Sequence, residues 1–188
     1  FTGGFHPGPR ISPANALPLG VTSTGELIDF ELTKVIDIAD FKTQLQKQLP
    51  EDVPIYSATE ISLQLPSATK VLDRAAYVLA INEESETNLE LETWEGLIQQ
   101  VLDASEIMHT KTTKSGKKKD VNLRSRLFQL SLVDLTTLEN LPEHVKSQLS
   151  NSGQCAIRYA GSCRNDGTLL RPSGVLSMLE SVSGQSLS

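Results

Sequence analysis

The run AAYVLAIN at residues 75–82 and the run TWEGLIQQVLDA at residues 93–104 decide the fold. In the first run, apolar side chains occupy alternate positions on one face, namely Tyr77, Leu79 and Ile81. This period of two is typical of a β-strand. In the second run, apolar residues recur at helical spacing, namely Trp94, Leu97, Ile98, Val101 and Leu102. That spacing predicts an amphipathic helix, and the two runs together indicate a layered structure of helices and strands.

The chain after residue 104 continues this alternation. The further predicted elements are a strand at 106–113, a turn at Ser115–Gly116, a return strand containing Phe128, Leu130 and Leu132, a short helix within 138–149, a strand at 154–160 and a helix opened by Pro172. Proline suits the first position of a helix because the N–H it lacks would have no partner there.

The N-terminal half has a related order. Residues 1–24 form a loop stiffened by prolines, each of which fixes its own φ. Residues 26–33 alternate as a half-buried strand, and a helix follows with Asp37 as its N-cap and Pro50 as its stop. Residues 54–63 return to the period of a strand, which makes the first half β-α-β-like.

Two successive units of this kind predict an α+β protein. We expect a ferredoxin-like pair of β-α-β units, with helices on one face of a mainly antiparallel sheet. The lobes are predicted at 1–68 and 69–188. The first lobe lacks an opening strand and helix, and the second lacks a closing strand. With a first residue in mid-loop, these gaps predict a fragment of a longer polypeptide.

Charge is unevenly distributed along the chain, whose formal net charge is −6. Between residues 109 and 126, five lysines and two arginines stand against a single acid, Asp120. That strip carries +6, so the remaining residues sum to −12. The overall acidity argues against a general nucleic-acid-binding surface, whereas the strip itself is suited to local contact with an anion.

The cellular location is predicted from what the sequence does not contain. Cys155 and Cys163 match neither a disulfide framework nor a zinc or iron–sulfur spacing, so they are expected to be free thiols in a reducing compartment. No apolar run approaches the roughly 20 residues that span a bilayer, and the first residues do not form a signal peptide. We therefore expect a cytoplasmic protein with no membrane contact.

Three places are candidate binding sites, and each has a purely structural alternative. The loop at 1–24 presents His6 and Arg10 to an anion, or is a rigid crossover shaped by its prolines. A basic hairpin at 109–126 contacts a phosphate backbone, or is a solvated hairpin tip. Arg171 holds an anion at the start of the last helix, or lies there only as part of the cap. The candidate contacts on the hairpin are Lys114, Lys117, Lys118, Lys119 and Arg124.

Neither a metal site nor a catalytic site is predicted in this chain. The three histidines, His6, His109 and His144, are far apart in sequence and have no ligand-like spacing. Serines are plentiful, yet the Gly-x-Ser-x-Gly pattern of a nucleophile elbow is absent,. No acid/base constellation is visible either, so independent catalysis is the least favoured function.

Residues 1–32 carry the most specific motif in the chain. Its matching positions are Gly4, Phe5, Pro7, Pro9, Arg10, Ile11, Ser12, Leu17 to Val21, Gly25 and Glu26. This pattern resembles the signature of the radical-SAM-linked proteins, a bacterial domain family of unknown function. Similar runs at 114–124 and 169–176 extend the resemblance over nearly the whole chain. Asn122 and Ser173 depart from it, because the family often has an acid at these positions.

The resemblance implies a context for the chain. In that family the domain is fused behind, or encoded beside, a protein with cobalamin-binding-like and radical SAM modules. A radical SAM module holds its cluster through a Cys-x3-Cys-x2-Cys motif, which this chain lacks,. The iron–sulfur cluster, S-adenosylmethionine and cobalamin are therefore expected on the fused or partner module, and no cofactor is expected here.

Two functions follow as hypotheses. The first is an accessory binding or substrate-presenting domain of a radical SAM system that contacts RNA or another polyanion and has no catalysis of its own. The alternative is a protein–protein docking domain, in which the strip meets an acidic protein surface without nucleic acid.

Overall fold

The computed structural model describes residues 10–81, 89–112, 116–135, 155–164 and 166–187. These residues form two compact units. One contains the described residues up to 16 together with 26–71, and the other contains 17–25 together with those from 72 onward. The predicted lobes at 1–68 and 69–188 stay a prediction, and residues 17–25 group with the second unit. The predicted short helix within 138–149 lies outside the described residues.

The first unit begins with a short antiparallel ladder. Strand β1 (Ile11–Pro13) pairs with β2 (Ile28–Phe30), and Ile11 stands opposite Phe30. Two backbone bonds extend the ladder at its ends, since the N–H of Glu31 donates to the carbonyl of Arg10 at 3.0 Å and that of Ala14 to the carbonyl of Leu27 at 2.8 Å. Strand β1 lies within the residues predicted as loop, 1–24, and β2 lies within the predicted strand at 26–33.

Helix α1 (Ile38–Gln46) begins where the sequence predicts it. The Asp37 carboxylate accepts hydrogen bonds from the N–H groups of Ala39 at 2.8 Å and Asp40 at 3.2 Å, which confirms the predicted N-cap. Phe41 on this helix meets Phe30 of β2 edge to face, with ring centroids 5.6 Å apart. That aromatic pair connects the helix to the ladder.

The predicted strand at 54–63 is wrong. Side chains of α1 bind the backbone in this region, because Gln46 donates to the carbonyl of Val53 at 3.1 Å and accepts from the N–H of Ile55 at 2.7 Å. Lys42 donates to the carbonyl of Tyr56 at 3.0 Å. The unit ends with the single turn α2 (Ala68–Val71), whose first N–H is bound by the Asp29 carboxylate at 2.7 Å.

The second unit contains most of the regular structure. Its elements are β3 (Arg74–Ala80), α3 (Leu91–Asp103), β4 (Met108–Thr112), β5 (Lys118–Asn122), a 3₁₀ turn (Arg124–Arg126), β6 (Leu127–Asp134), β7 (Cys155–Ser162) and α4 (Pro172–Ser183). Strands β3, β7 and β6 form one antiparallel sheet in that order. This is the strand order of a ferredoxin-like β-α-β-β-α run. Antiparallel sheets combined with helices confirm the predicted α+β class.

The core of this unit lies between one face of the sheet and helices α3 and α4. Its buried members include Trp94, Leu97, Ile98 and Val101 from α3, Ile157 and Tyr159 from β7, and Val175, Met178 and Leu179 from α4. Tyr77 and Tyr159 face each other across β3 and β7, with rings stacked 4.9 Å apart. Burial raises the pKa of the Tyr159 hydroxyl, and Tyr77 adds a smaller effect in the same direction,.

The return strand of the hairpin differs from the prediction. Strand β5 pairs with β4, whereas the residues predicted for that role belong to β6 and pair with β7. A β-bulge between Leu127 and Gln129 makes Phe128 an extra residue, so it does not share the face of Leu130 and Leu132. Strand β5 is not predicted from the sequence because it is rich in lysine. A short strand that is exposed on both faces needs no alternation of apolar and polar residues.

Leu170 connects α4 to the central strand. Its side chain is fully buried, and its N–H donates to the carbonyl of Ser162 at 2.8 Å. The Leu170 side chain packs against Gly161 in β7 and Gly174 in α4, where added Cβ atoms would come within 2.8 Å and 3.1 Å of it. Both glycines thus allow the close approach of helix and sheet. None of the described helices is long and apolar enough to cross a membrane.

Gly161→Ala tests this packing. The new methyl group would lie 2.8 Å from a Leu170 methyl group and 3.3 Å from the Arg126 carbonyl oxygen. We expect the free energy of unfolding to fall by about 1–3 kcal/mol, the usual cost of overpacking a core. Urea unfolding followed by circular dichroism measures this change.

Gly96→Ala is the matched control. Gly96 lies in α3 with open space around its Cα, so alanine should raise the free energy of unfolding by roughly 0.5–1 kcal/mol,. Equal effects of the two substitutions would show that Leu170 does not require a glycine beneath it.

Candidate polyanion-binding hairpin

The β4–β5 hairpin is a short two-stranded ribbon that carries the basic strip. Its register places Lys111 opposite Lys119, Thr112 opposite Lys118 and Thr110 opposite Asp120. Every residue of β4, and the first three residues of β5, is exposed. Gly116 enters β5 from the turn with φ at 79°, the left-handed conformation that glycine adopts without strain,.

The two faces of this ribbon differ in charge. Because side chains alternate along a strand, Lys111 and Lys119 share one face with His109, while Lys118 and Asp120 share the other,. The Asp120 carboxylate accepts a hydrogen bond of 2.6 Å from the Thr110 hydroxyl on that second face. The first face therefore presents two directly opposed lysines and no carboxylate from either strand.

Opposed lysines have an electrostatic cost in the free protein. Like charges directly across an antiparallel pair destabilise it by a few tenths of a kcal/mol to about 1 kcal/mol. An anion placed between the two ammonium groups would turn that repulsion into attraction. The Lys111–Lys119 pair is thus better suited to a bound polyanion than to an isolated ribbon.

Asn122 fixes the base of the ribbon. Its side-chain oxygen accepts hydrogen bonds from the N–H groups of Ile107 at 3.2 Å and Arg124 at 3.0 Å, and its carbonyl accepts one from the Ser125 hydroxyl. Ile107 and Leu123 beside it belong to the core. An amide oxygen thus supplies an acceptor at a position where the resembling family often has an acid.

Arg124 is used within the fold. Its guanidinium donates to the carbonyls of Leu102 at 3.0 Å and Leu127 at 3.3 Å. The Leu102 carbonyl lies in the last turn of α3, where carbonyls lack helical partners and a positive charge is favoured. The Nε of Arg124 is buried and has no hydrogen-bond partner among the described residues. The predicted contact of Arg124 with an anion stays a prediction.

The other predicted contacts are spread over the chain. Arg10, in the first unit, is ion-paired with Glu31 across the end of the ladder, and both side chains are about half exposed. Arg171 is the N-cap residue of α4, and its exposed side chain makes no capping hydrogen bond. His6 and Lys114 lie outside the described residues. Of the predicted set, the structure brings Lys117, Lys118 and Lys119 together on one hairpin.

Lys111 is not among the contacts predicted from the sequence, although the structure places it on the hairpin face. It belongs to the basic strip, but its importance comes from facing Lys119, and that depends on the register. Counting symmetrically outward from the turn Gly116 would pair Lys111 with Val121, so only the observed register places Lys111 opposite Lys119.

The two cysteines and the possible metal ligands are not arranged as a reactive or metal-binding site in the described residues. Cys155 is partly exposed and Cys163 is buried, and both are free. Burial raises the pKa of the Cys163 thiol, and the nearby Asp73 carboxylate raises it further. Within the described part of the chain, no group of three or more histidine, cysteine, aspartate and glutamate side chains is placed to hold a metal ion.

Comparison with known protein families gives a match over most of the chain. The model of a family described as uncharacterized protein conserved in bacteria (DUF2344) matches residues 1–172. The chain belongs to this family. The match includes the signature motif, the whole hairpin and the N-cap of α4, so the candidate contacts all lie within the part that the family shares. No curated protein and no solved structure matches the chain significantly.

Lys111→Glu tests the electrostatic cost of the opposed lysines. Glutamate opposite Lys119 replaces repulsion by attraction, so we expect a gain in stability of about 0.2–1 kcal/mol, read as a higher melting temperature at low salt. Lys118→Glu makes the same charge change on the face of Asp120 and should give no gain. A higher melting temperature for both variants would attribute the effect to net charge alone.

The raised pKa of Cys163 predicts slow alkylation. A buried thiol that keeps its proton at neutral pH has little of the reactive thiolate, so iodoacetamide should modify Cys155 first. Peptide mass spectrometry over time at pH 7.5 measures the two rates. Faster modification of Cys163 would contradict the burial that the fold gives it.

Proposed function

We propose that this chain is an accessory binding domain of a radical SAM system, which holds RNA or another polyanion on the β4–β5 hairpin while the chemistry takes place on a fused or partner module. The observation that carries the polyanion contact is the Lys111–Lys119 pair on an exposed ribbon face. Lys117 and Lys118 extend the positive charge toward the turn.

The surrounding charge supports local contact with an anion. The strip of +6 belongs to a chain whose other residues sum to −12. A phosphate backbone would be attracted to the ribbon and repelled by the acidic remainder, so the hairpin would set the position and direction of approach. Phosphate contacts of this kind position a nucleic acid without selecting its sequence.

The proposed link to radical SAM chemistry has separate support. It comes from the resemblance of the Gly4–Ser12 and Leu17–Val21 motifs to the radical-SAM-linked proteins, and the family to which the chain belongs is itself uncharacterized. On this proposal the iron–sulfur cluster, S-adenosylmethionine and cobalamin belong to the other module. This domain would present the substrate to that module.

The salt dependence of RNA binding tests the polyanion contact. We expect the variant with Lys117, Lys118 and Lys119 all changed to Glu to bind RNA more weakly, and the slope of log affinity against log salt to become shallower by about 2. Fluorescence anisotropy with a labelled RNA across a salt series measures both quantities.

A charge-matched variant provides the control. Lys34, Lys47 and Lys70 are exposed in the first unit, and changing all three to Glu alters the net charge equally. If RNA binding weakens by the same amount in both variants, the loss is explained by the change in net charge, and the hairpin is not a specific contact. Binding unaffected by the hairpin variant would contradict the proposal.

Copurification tests for the competing docking function. A tagged protein that carries polyanion, released by nuclease treatment, supports the proposal. A stoichiometric protein partner that stays bound after nuclease treatment, and is lost in the hairpin variant, would favour docking to an acidic protein instead.

A further inference from the structure

The three-stranded sheet has a second face, turned away from α3 and α4. We call it the outer sheet face, and it consists of the positions that alternate with the core residues of β3, β7 and β6. On β3 these positions are all exposed, Arg74, Ala76, Val78 and Ala80. Their partners on β7 are Ser162, Ala160, Arg158 and Ala156, of which Arg158 is exposed, Ala160 is partly buried, and Ser162 and Ala156 are buried. The face is thus lined mainly by small side chains, with two arginines among them.

The β-bulge in β6 places the ring of Phe128 on the outer sheet face. Phe128 is the extra residue between Leu127 and Gln129, and without it the ring would share the core face with Leu130 and Leu132. Bulges often re-aim a side chain in this way beside functional sites. Phe128 is 43% exposed, whereas Leu127 and Leu130 on either side of it are buried.

Arg74 reaches across the sheet to this ring. Its guanidinium carbon lies 4.6 Å from the centroid of Phe128. Arg74 is on β3 and Phe128 on β6, so the arginine side chain passes over the central strand β7. The cation–π contact holds the guanidinium over the ring and creates a layered platform of aromatic ring and planar cation.

Arg158 supplies a second positive charge on the same face. It is exposed on the central strand between Val78 and Ser131, and makes no ion pair or side-chain hydrogen bond with another described residue. Arg158 lies four positions along β7 from Ser162, which stands opposite Arg74, a distance of about 13 Å at the usual rise,. No aspartate or glutamate occupies an outer position of the three strands, although the chain as a whole is acidic.

We propose that the outer sheet face binds single-stranded RNA, with an unpaired base stacked on the Arg74–Phe128 platform and a neighbouring phosphate bound by Arg158. Bases stack on aromatic rings and on guanidinium planes, and this mode requires bases that are free of a duplex. The proposal rests on the proposed function and specifies its substrate as single-stranded. The hairpin contributes charge to any polyanion, whereas this face distinguishes single strands from duplexes.

The positive charge of the outer sheet face disfavours a basic or purely apolar partner, and its small side chains disfavour an acidic protein. Alanine and serine side chains offer a protein little apolar area to bury, and an isolated platform of one ring and one cation matches the size of a single base. Duplex RNA would present only its backbone here, because its bases are already stacked on one another.

Anisotropy with a short fluorescein-labelled RNA strand, alone and annealed to its complement, tests the proposal on the full chain. Phe128→Leu keeps apolar area but removes the ring, and should weaken binding of the single strand about 5- to 100-fold. Phe128→Tyr keeps the ring and should bind within about twofold of the parent. Arg158→Ala should weaken the single strand and reduce its salt slope by about 0.7.

The duplex and the control variants separate the possible outcomes. The Phe128 variants should bind duplex RNA like the parent, and Lys34→Ala, which removes one exposed charge in the other unit, should leave both affinities unchanged. Thermal melts confirm that each variant is folded. Single-strand binding unaffected by Phe128→Leu and Arg158→Ala, but lost when the hairpin lysines are reversed, would overturn this inference and leave the proposed function standing. A parent protein that binds neither RNA even at low salt would overturn both.

Discussion

The central strand β7 is the element on which the second unit depends. Both other strands of the sheet pair with it, and Tyr159 packs into the core with its hydroxyl donating to the carbonyl of Leu170 at 3.4 Å. Leu170 lies two residues before α4. The Arg126 guanidinium donates a hydrogen bond of 3.2 Å to the carbonyl of the preceding residue, Leu169. Because Gly161 lies directly beneath Leu170, the helix, the strand and the chain leading into β6 meet at one closely packed point. Close packing of this kind transmits small changes in volume to every element that shares the contact.

The proposed sites are outside this core but are held by it. The hairpin is fixed at its base by Asn122 and by the buried Ile107 and Leu123, and Arg124 joins that base to the end of α3. The outer sheet face is held from beneath by the same strands that bury Tyr159. For the sheet face, this rigid support means that little ordering entropy remains to be lost on binding.

Several parts of the structure could be predicted because a local pattern determines them. Strand β3, helix α3 and helix α4 follow from apolar periodicity, and Asp37 follows from capping chemistry. The strand at 54–63 was wrong because a side-chain amide, that of Gln46, binds backbone that would otherwise form a ladder. Among the site residues, the lysine cluster is visible in composition alone. The opposed Lys111 and Lys119, and the outward turn of Phe128, depend on strand register and on a single extra residue, which no local periodicity specifies.

The exposure of the β4–β5 hairpin also affects how its backbone fluctuates. Apart from the contacts at its base, the ribbon is covered by solvent and has little buried apolar area of its own. Such a segment opens and closes at a free energy well below that of global unfolding. Its amide protons should therefore exchange with water long before those of β7, so that an occupied hairpin would be recognisable by slower exchange there while the core stays unchanged.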